Sequence, residues 1–388
     1  MTFRRKFRSV PLALLLAALG GCGDGAAPAP IVPLSACTRV DLADPDGRPI
    51  VGIEDLAVDH ARGRLYLSAY DRRAVARERD SKAGPRTTGG LYMLDLETPL
   101  AGTVTAQPLH AAARVALPQR PHGIALYISK TTGERQLFAI ERRYERIDGD
   151  WRRRPELAVL TLAGDGITVE GVAHLRLPPE LCSPNDLTPT LSGILITNDH
   201  GACGGFERRL EDAFGLDEAF VARLTPAGME TAVRKLRFAN GIAVAHRPDG
   251  EEELVVAATR ADALFAFPID VRDRTRREAR QILRIDAAPD NITLGPDGAL
   301  YVAVHPRLFR YALFRGHWFG VDRAPSAVMR LRYDSTGTLV AERFFEDPEG
   351  DLISGTTVAA VDRGRLYLGA AFDDHLAVCT LARGAAAS

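Results

Sequence analysis

The chain has 388 residues, with 49 Lys or Arg and 50 Asp or Glu, so its formal net charge at pH 7 is −1. Binding to nucleic-acid phosphates needs a basic excess, and the absence of such an excess or of a basic stripe excludes a nucleic-acid partner. With 35 Gly, 24 Pro and few stretches of helical periodicity, the composition favours a turn-rich all-β fold.

The first residues have the layout of a bacterial export signal. A basic stretch at residues 4–8 precedes an apolar run at residues 10–19, which is too short to span a bilayer comfortably. We therefore expect residues 1–21 to be a signal peptide.

The signal ends in Leu19-Gly20-Gly21-Cys22, which resembles the lipobox of bacterial lipoproteins. The alternative is a plain signal peptide with an incidental cysteine. A lipidated Cys22 would anchor the protein to a membrane of the cell envelope, facing the periplasm, and Gly23 in place of Asp favours the outer membrane. Residues 22–36, rich in Gly, Ala and Pro, predict a flexible tether after the lipid.

Six segments of one kind recur about 60 residues apart in the rest of the chain. In each segment polar residues precede a strand and an apolar, β-rich run follows after a turn. The segments begin at Gly52, Pro121, Ser183, Phe238, Pro289 and Ser354. This spacing suits a four-stranded antiparallel unit and is too long for a helix-hairpin repeat. The pattern predicts that residues 37–388 form one six-bladed β-propeller of four-stranded antiparallel blades.

Four cysteines remain besides Cys22, an even number in an exported chain where disulfides persist. Three pairings are possible, and free buried thiols are the alternative. Cys37 lies at the start of the predicted folded region and Cys379 lies close to its end. Because a ring must join its first and last strands, we expect a Cys37–Cys379 bond in the closing blade, which leaves Cys182 and Cys203 to pair.

Polar residues at equivalent points of the repeats predict a metal site. The first strand of each propeller blade lines the central channel, so side chains at these points converge. Those with carboxylate or amide oxygens are Glu54, Asn185, Asn240, Asp290 and Asn291. Calcium takes about six to eight such oxygens, whereas zinc prefers His or Cys. One such residue before a strand is an ordinary turn residue, but five at equivalent positions predict calcium.

The segments in this order resemble those of the paraoxonase/arylesterase family. The matching motifs are IEDL, PHGI, PNDL followed by TNDH, FANGI, DNI followed by VHP, and GTTVA. The resemblance extends from residue 37 to about residue 382 in unbroken order. It implies a six-bladed propeller that hydrolyses small-molecule lactones or aryl esters with the help of calcium.

The resemblance also implies two calcium ions. The five residues above would hold a catalytic ion, and Asp55, Asp186 and the backbone carbonyl of Ile124 would hold a structural one. The catalytic ion would polarise the substrate carbonyl and stabilise the oxyanion while an activated water attacks. The chain has no G-x-S-x-G nucleophile elbow, which favours water attack over an acyl-enzyme.

The resemblance assigns the general base to His122, oriented by a second histidine on the next strand. That strand reads LFAIERR, and Glu141 or Arg142 holds the matching place. Two hypotheses remain open: Glu141 orients His122, or the calcium-bound carboxylate of Asp290 is itself the base.

Three further residues, Phe238, His305 and Thr357, resemble substrate-pocket positions of the family. The Arg-rich stretch 71–90 resembles a long loop that overhangs the active site, although a solvated charge run is the alternative. Two other functions remain open. One is a non-catalytic envelope propeller that binds a ligand or protein, as the missing second histidine would suggest. The other is a related enzyme, either a gluconolactonase-like sugar lactonase or a strictosidine-synthase-like condensing enzyme.

Overall fold

The computed structural model describes residues 29–79, 81–112, 115–269 and 278–382. The predicted signal peptide, Cys22 and the last six residues lie outside the described residues. No helix among the described residues combines the length and the apolar character needed to cross a membrane.

The described residues are mainly β-strands. In chain order, the first eleven are β1 Cys37–Ala43, β2 Ile53–Asp59, β3 Arg64–Ala69, β4 Gly90–Asp95, β5 Gly102–Thr105, β6 Gln107–Pro108, β7 His110–Ala111, β8 Pro121–Ile128, β9 Arg135–Ile147, β10 Asp150–Leu162 and β11 Thr168–Arg176. The next eight are β12 Pro184–Thr190, β13 Gly193–Asn198, β14 Ala219–Thr225, β15 Gly228–Leu236, β16 Ala239–His246, β17 Glu252–Ala258, β18 Ala263–Ile269 and β19 Gln281–Arg284. The last seven are β20 Ala288–Leu294, β21 Leu300–His305, β22 Ser326–Tyr333, β23 Leu339–Asp347, β24 Val358–Asp362, β25 Arg365–Gly369 and β26 Leu376–Thr380.

Three α-helices interrupt this series: α1 Arg72–Arg79, α2 Gly205–Phe214 and α3 Leu308–Gly316. Short 3₁₀ turns lie at Leu34–Ala36, Thr259–Ala261 and Trp318–Gly320. Each α-helix lies in the connection between the second and third strands of a blade.

The strands in the described ranges form six sheets, which confirms the predicted propeller of four-stranded antiparallel blades. Blade 1 is β2-β3-β4-β6, blade 2 is β8-β9-β10-β11, and blade 3 is β12-β13-β14-β15. Blade 4 is β16-β17-β18-β19, blade 5 is β20-β21-β22-β23, and blade 6 is β24-β25-β26-β1. Blades 2 and 6 each carry one short extra strand in parallel pairing, β7 and β5 respectively.

Blade 6 closes the ring by joining the two ends of the chain. Strand β1 pairs with β26, and Cys37 lies opposite Cys379 in that register. These two cysteines form a disulfide, as do Cys182 and Cys203, so both expected bonds are confirmed.

Ordered packing begins before β1, in the stretch that was expected to be a tether. Val32 is 2% exposed and forms a bridge with Phe345 of blade 5. Its backbone N–H donates to the carbonyl of Phe344 at 2.8 Å. This part of the predicted tether therefore packs on blade 5, while residues 22–28 lie outside the described residues.

The core lies between adjacent blades, because both faces of each inner sheet are covered. Strand β17 ends in an apolar run at residues 254–258 that is buried throughout, which is typical of a strand covered on both faces. Tyr66, Tyr301 and Tyr367 occupy equivalent places in the second strands of blades 1, 5 and 6 and are fully buried. This repetition explains why one motif spaced along the sequence produces a closed ring.

Strands β9 and β10 extend beyond blade 2. Their pairing with β8 ends at Pro121 opposite Glu141, and their pairing with β11 ends at Glu156 opposite Arg176. Residues 142–155 therefore project as a two-stranded hairpin, which we call the ribbon. The ribbon leaves blade 2 at the end of β8 that carries His122.

Candidate functional site

The first strands of neighbouring blades contact one another in a closed ring around the channel. Five of them, β2, β8, β12, β16 and β20, have a register shift close to their first residues. A bulge of this kind re-aims side chains and interrupts strand pairing, and bulges are frequent next to active sites. The predicted ligand residues and His122 all lie in these five bulges.

Two glycines allow the bulged strands to approach closely. A Cβ atom on Gly123 would lie 2.4 Å from the backbone oxygen of Asn185. A Cβ atom on Gly241 would lie 2.5 Å from the backbone oxygen of Asp290. Any side chain at either position would push the inner strands apart, so the glycines keep the polar groups of neighbouring blades together.

Four side-chain oxygens at this ring are buried and accept no hydrogen bond within the described ranges. They are Glu54 Oε2, Asn185 Oδ1, Asn240 Oδ1 and Asn291 Oδ1. Leaving one buried acceptor unsatisfied costs about 1–3 kcal/mol, so a native fold rarely gathers four of them. The cluster is the arrangement expected of ligands to a hard cation.

The orientation of two of these amides is fixed by their nitrogen atoms. Asn240 Nδ2 donates to Thr259 Oγ1 at 3.1 Å, and Asn291 Nδ2 donates to the Glu54 carbonyl at 3.0 Å. With the donors occupied, the Oδ1 atoms are left as acceptors. The structure thus brings together the amide and carboxylate residues that were predicted from the sequence to converge on the central channel.

Asp55 and Asp186 lie deeper and are bound by backbone amides. Asp55 accepts the N–H of Leu56 at 2.8 Å and that of Ile124 at 2.6 Å. Asp186 accepts the N–H of Leu187 at 2.7 Å and that of Ile242 at 2.9 Å. Burial raises the pKa of both carboxyls well above the ordinary value, and the negative charge of Asp186 raises that of Asp55 further. Such a pair is costly in its charged form unless a cation lies beside it.

His122 lies next to the unsatisfied oxygens. Its Nδ1 is 2.9 Å from Glu54 Oε2, although the contact is not aligned as a hydrogen bond. Burial and the positive charge of Arg142 lower the pKa of His122 to about 3, so the ring is neutral at pH 7. The 2.9 Å contact with the carboxylate favours the tautomer protonated at Nδ1 over the one that would accept the longer, 3.4 Å contact from Arg72 Nη2. Nε2, which is buried without a partner among the described residues, then carries the lone pair.

Glu54 is held by several positive or donor groups. Burial by itself would raise its pKa, but His122, Arg72 and Arg142 outweigh that effect and lower the pKa to about 2. The Glu54 carboxylate is therefore ionised at neutral pH, as a metal ligand must be.

Glu141, expected as a possible partner of His122, does not take that role in the structure. Its Oε2 accepts the backbone N–H of Arg120 at 2.9 Å, at the point where β8 begins. The reason lies in the strand alternation: Glu141 and Arg142 point to opposite faces of β9. Arg142 is the neighbour whose charge acts on His122.

Asp290 is bound on one side by His305. His305 Nε2 lies 2.8 Å from Asp290 Oδ2, and the ring stacks on Tyr311 of α3 with 3.6 Å between centroids. His305 is 2% exposed, so it supports Asp290 rather than forming an open pocket wall. Burial raises the pKa of Asp290, and the contact with His305 opposes that effect.

The other two expected pocket residues differ in position. Phe238 is half-buried and packs edge-on against His200, with 5.2 Å between ring centroids. Thr357 is buried, and its hydroxyl donates to the backbone carbonyl of Glu54 at 2.9 Å. Phe238 thus keeps part of its surface exposed, whereas Thr357 positions the strand that carries Glu54.

Arg72 and Tyr70 also belong to this site but were not identified from the sequence. Arg72, in α1, is 8% exposed and donates to the Gly52 carbonyl at 2.6 Å. Its guanidinium lies 4.1 Å from the centre of the Tyr70 ring and 3.4 Å from His122 Nδ1. The Arg-rich stretch 71–90 is thus partly buried, and the apolar Val75 within it is the sequence signal that could have indicated a buried face.

The geometry defines a polar axial site in a six-bladed propeller. The family model for Arylesterase matches residues 182–381, just over half of the chain. The chain belongs to the arylesterase family, which confirms the resemblance noted in the motifs.

Curated relatives agree with this assignment. Serum paraoxonase/arylesterase 1 of Rattus norvegicus is 29% identical over 215 residues, which cover 54% of this chain and 55% of the relative. The Mus musculus protein of the same name is 27% identical over 219 residues, 53% of this chain and 54% of the relative. The chain thus spans about half the length of the curated relatives it matches.

Solved structures with a similar chain path include a periplasmic gluconolactonase of Pseudomonas aeruginosa, with 14% identity and a TM-score of 0.47. That match covers 85% of this chain and 82% of the other. Another is regucalcin, a calcium-binding protein of Agrobacterium tumefaciens, with 15% identity, a TM-score of 0.45 and coverages of 89% and 93%.

Proposed function

We propose that the protein is a calcium-dependent hydrolase of small lactones or aryl esters. The observation that carries the proposal is the cluster of four buried oxygens that accept no hydrogen bond from any described residue, in contact with His122 through Glu54. Membership of the arylesterase family supports a hydrolase of esters or lactones.

The residues present fit calcium. Glu54, Asn185, Asn240, Asp290 and Asn291 offer carboxylate and amide oxygens and no sulfur, the donor set of a hard cation. When bound there, calcium would act as a Lewis acid on the substrate carbonyl and stabilise the charge that develops on its oxygen. Asp55, Asp186 and the carbonyl of Ile124 would hold a second, structural ion, because the two buried carboxylates otherwise repel each other.

The chain's own residues supply the proton transfer. Neutral His122 would accept a proton from water at Nε2, while Glu54 holds its Nδ1 side and stabilises the resulting imidazolium. Arg72 keeps Glu54 in place through a 3.7 Å ion pair and a hydrogen bond to Gly52. In this arrangement Glu54 would have two roles, as a metal ligand and as the residue that orients His122, so no second histidine is required.

The proposal is tested by hydrolysis of a lactone panel and phenyl acetate with and without chelator. We expect chelation to abolish hydrolysis and added calcium to restore it, with bound calcium measured by elemental analysis. Full activity in chelator with no bound calcium would overturn the calcium dependence of the proposed hydrolase. Calcium bound without hydrolysis of any panel member would favour a non-catalytic envelope propeller instead.

We also propose that Cys22 is lipidated and that the protein is anchored in the cell envelope, facing the periplasm. The motif Leu19-Gly20-Gly21-Cys22 carries this proposal, and packing from Val32 onward leaves a short tether after it. The change Cys22→Ser is expected to move the protein from the membrane fraction into soluble periplasmic material. Cell fractionation with immunoblotting measures this, and an unchanged membrane fraction would contradict lipidation.

A further inference from the structure

The ribbon turns one face toward the site. In its register Tyr144 lies opposite Arg153, and Arg142 lies opposite Pro155. Residues that are directly opposite or two apart along a strand share a face. Arg142, Tyr144 and Arg153 therefore lie on one face, and all three are half-buried. The other face carries Arg152 and Arg154, which are exposed.

The half-buried face packs toward the segment that follows α1. A Cβ atom on Gly84 would lie 2.2 Å from the ring of Trp151, so the segment touches the ribbon there. Arg120 reaches the same segment, with donated hydrogen bonds to the carbonyls of Thr87 at 2.9 Å and Pro85 at 3.0 Å. The ribbon thus packs on this segment through Trp151, and Arg120, whose carbonyl accepts the N–H of Arg142 at 3.1 Å, joins the base of the ribbon to the same segment.

The register makes Arg142 and Arg153 diagonal neighbours on one face of the ribbon, within reach of each other for long side chains. Burial by itself would raise the pKa of Tyr70, yet the charges of Arg72, Arg142 and Arg153 lower it. Burial and the charge of Arg142 lower the pKa of Arg153 to about 10. Tyr70 packs against Arg72, which in turn touches His122. The positive region therefore begins at His122 and extends to the ribbon.

The carboxylates near this region are already paired. Glu54 contacts His122 and Arg72, and Asp199 contacts His200 at 2.6 Å and Arg208 at 3.6 Å. By contrast, Arg142 Nε is buried without a hydrogen-bond partner among the described residues. Burial and the charge of Arg142 oppose the cationic form of Arg153, so an anion beside the two guanidinium groups would stabilise it.

We propose that the substrate carries a carboxylate, which Arg142 and Arg153 bind while the scissile carbonyl lies at His122. This inference rests on the proposed hydrolase function. Guanidinium groups bind a planar carboxylate through two parallel hydrogen bonds, and Tyr70 and Tyr144 add aromatic surface beside it. The substrate class is therefore an anionic lactone or ester, with its charged group on the ribbon side of the reacting carbonyl.

A matched pair of lactones tests the proposal. The probes are γ-carboxy-γ-butyrolactone, which is ionised at neutral pH, and its primary amide, which has nearly the same shape and no charge. We expect kcat/KM to be about tenfold to a hundredfold higher for the acid, as for one or two charge-assisted hydrogen bonds. Arg153→Gln should lower this acid-to-amide ratio about tenfold or more. Arg154→Gln, a change on the opposite, exposed face, should leave the ratio unchanged.

A binding measurement separates this proposal from the hydrolase proposal. Tetrahydrofuroic acid has no ester bond, and its affinity can be compared with that of its amide by calorimetry in the full-length protein with calcium present. Tighter binding of the acid that is lost in Arg153→Gln supports the carboxylate site even if no lactone is hydrolysed. Equal affinity for acid and amide, or equal effects of Arg153→Gln and Arg154→Gln, would overturn the proposal.

Discussion

The change Asp290→Ala is expected to lower kcat/KM for lactone hydrolysis by more than about a hundredfold, the upper end of the loss seen for groups that only support a metal ligand. Asp290 supplies one of the two carboxylates at the axial site, so its loss removes both an oxygen ligand and a negative charge. The change also leaves His305 Nε2 without its buried acceptor. Activity and bound calcium, measured on the same preparation, check the result.

Two further variants test whether the loss of activity and calcium is specific to the Asp290 carboxylate. Asp290→Asn keeps an oxygen and removes the charge, so we expect weaker calcium binding with partial activity at high calcium concentration. Asp297→Asn lies in the β20–β21 turn, where Asp297 accepts the N–H of Ala299, and we expect no loss of bound calcium. Normal calcium content and activity in Asp290→Ala would show that Asp290 is not a ligand.

The architecture could be predicted because each blade repeats the same local signals. A polar motif, a short strand, a turn and an apolar strand recur at a regular spacing, and β17 with its buried apolar run is one example. Ring closure also follows from the chain itself, because Cys37 and Cys379 lie near the two ends of the folded region. These features depend on local pattern and on position in the chain.

The axial residues could be predicted for the same reason, but their partners could not. Glu54 and Asp290 stand at equivalent points of blades 1 and 5, which the repeat indicates directly. The contact between His122 and Glu54 depends on the bulges at the starts of β8 and β2, which re-aim the side chains. The alternation of side chains along a strand does not describe these bulges, so the contact with Glu54 could not be predicted, and the resemblance gave only Glu141 or Arg142 at the place of the partner.

The arginines of the site were missed because charge is usually a sign of exposure. Arg72 lies in a stretch with four arginines between residues 71 and 80, where a solvated helix is the ordinary expectation. Arg153 lies in a run of three, Arg152 to Arg154, and only the middle residue turns toward the site. Arg153 faces the site because β9 and β10 extend beyond blade 2. The length of this extension depends on where the neighbouring strands β8 and β11 end.

The change His122→Gln is expected to lower the rate of lactone hydrolysis by about a hundredfold to ten-thousandfold, the loss typical of a missing general base. Glutamine keeps a polar side chain beside Glu54 but cannot accept and return a proton. Calcium affinity should stay normal, because His122 is not one of the proposed oxygen ligands. His246→Gln, on the exposed end of β16, is the matched control and should retain full activity.

The pH profile distinguishes the environment of His122 from that of an ordinary histidine. In the proposed mechanism neutral imidazole is the active base, and it is present above the pKa of the group. Because burial and the charge of Arg142 lower the pKa of His122 from 6.5 to about 3, the base form is complete throughout the neutral range. We expect wild-type activity that does not rise between about pH 5 and about pH 8 on account of this group. An ascending limb near pH 6.5 that disappears in His122→Gln would contradict the lowered pKa, and undiminished activity in His122→Gln would show that another group is the base.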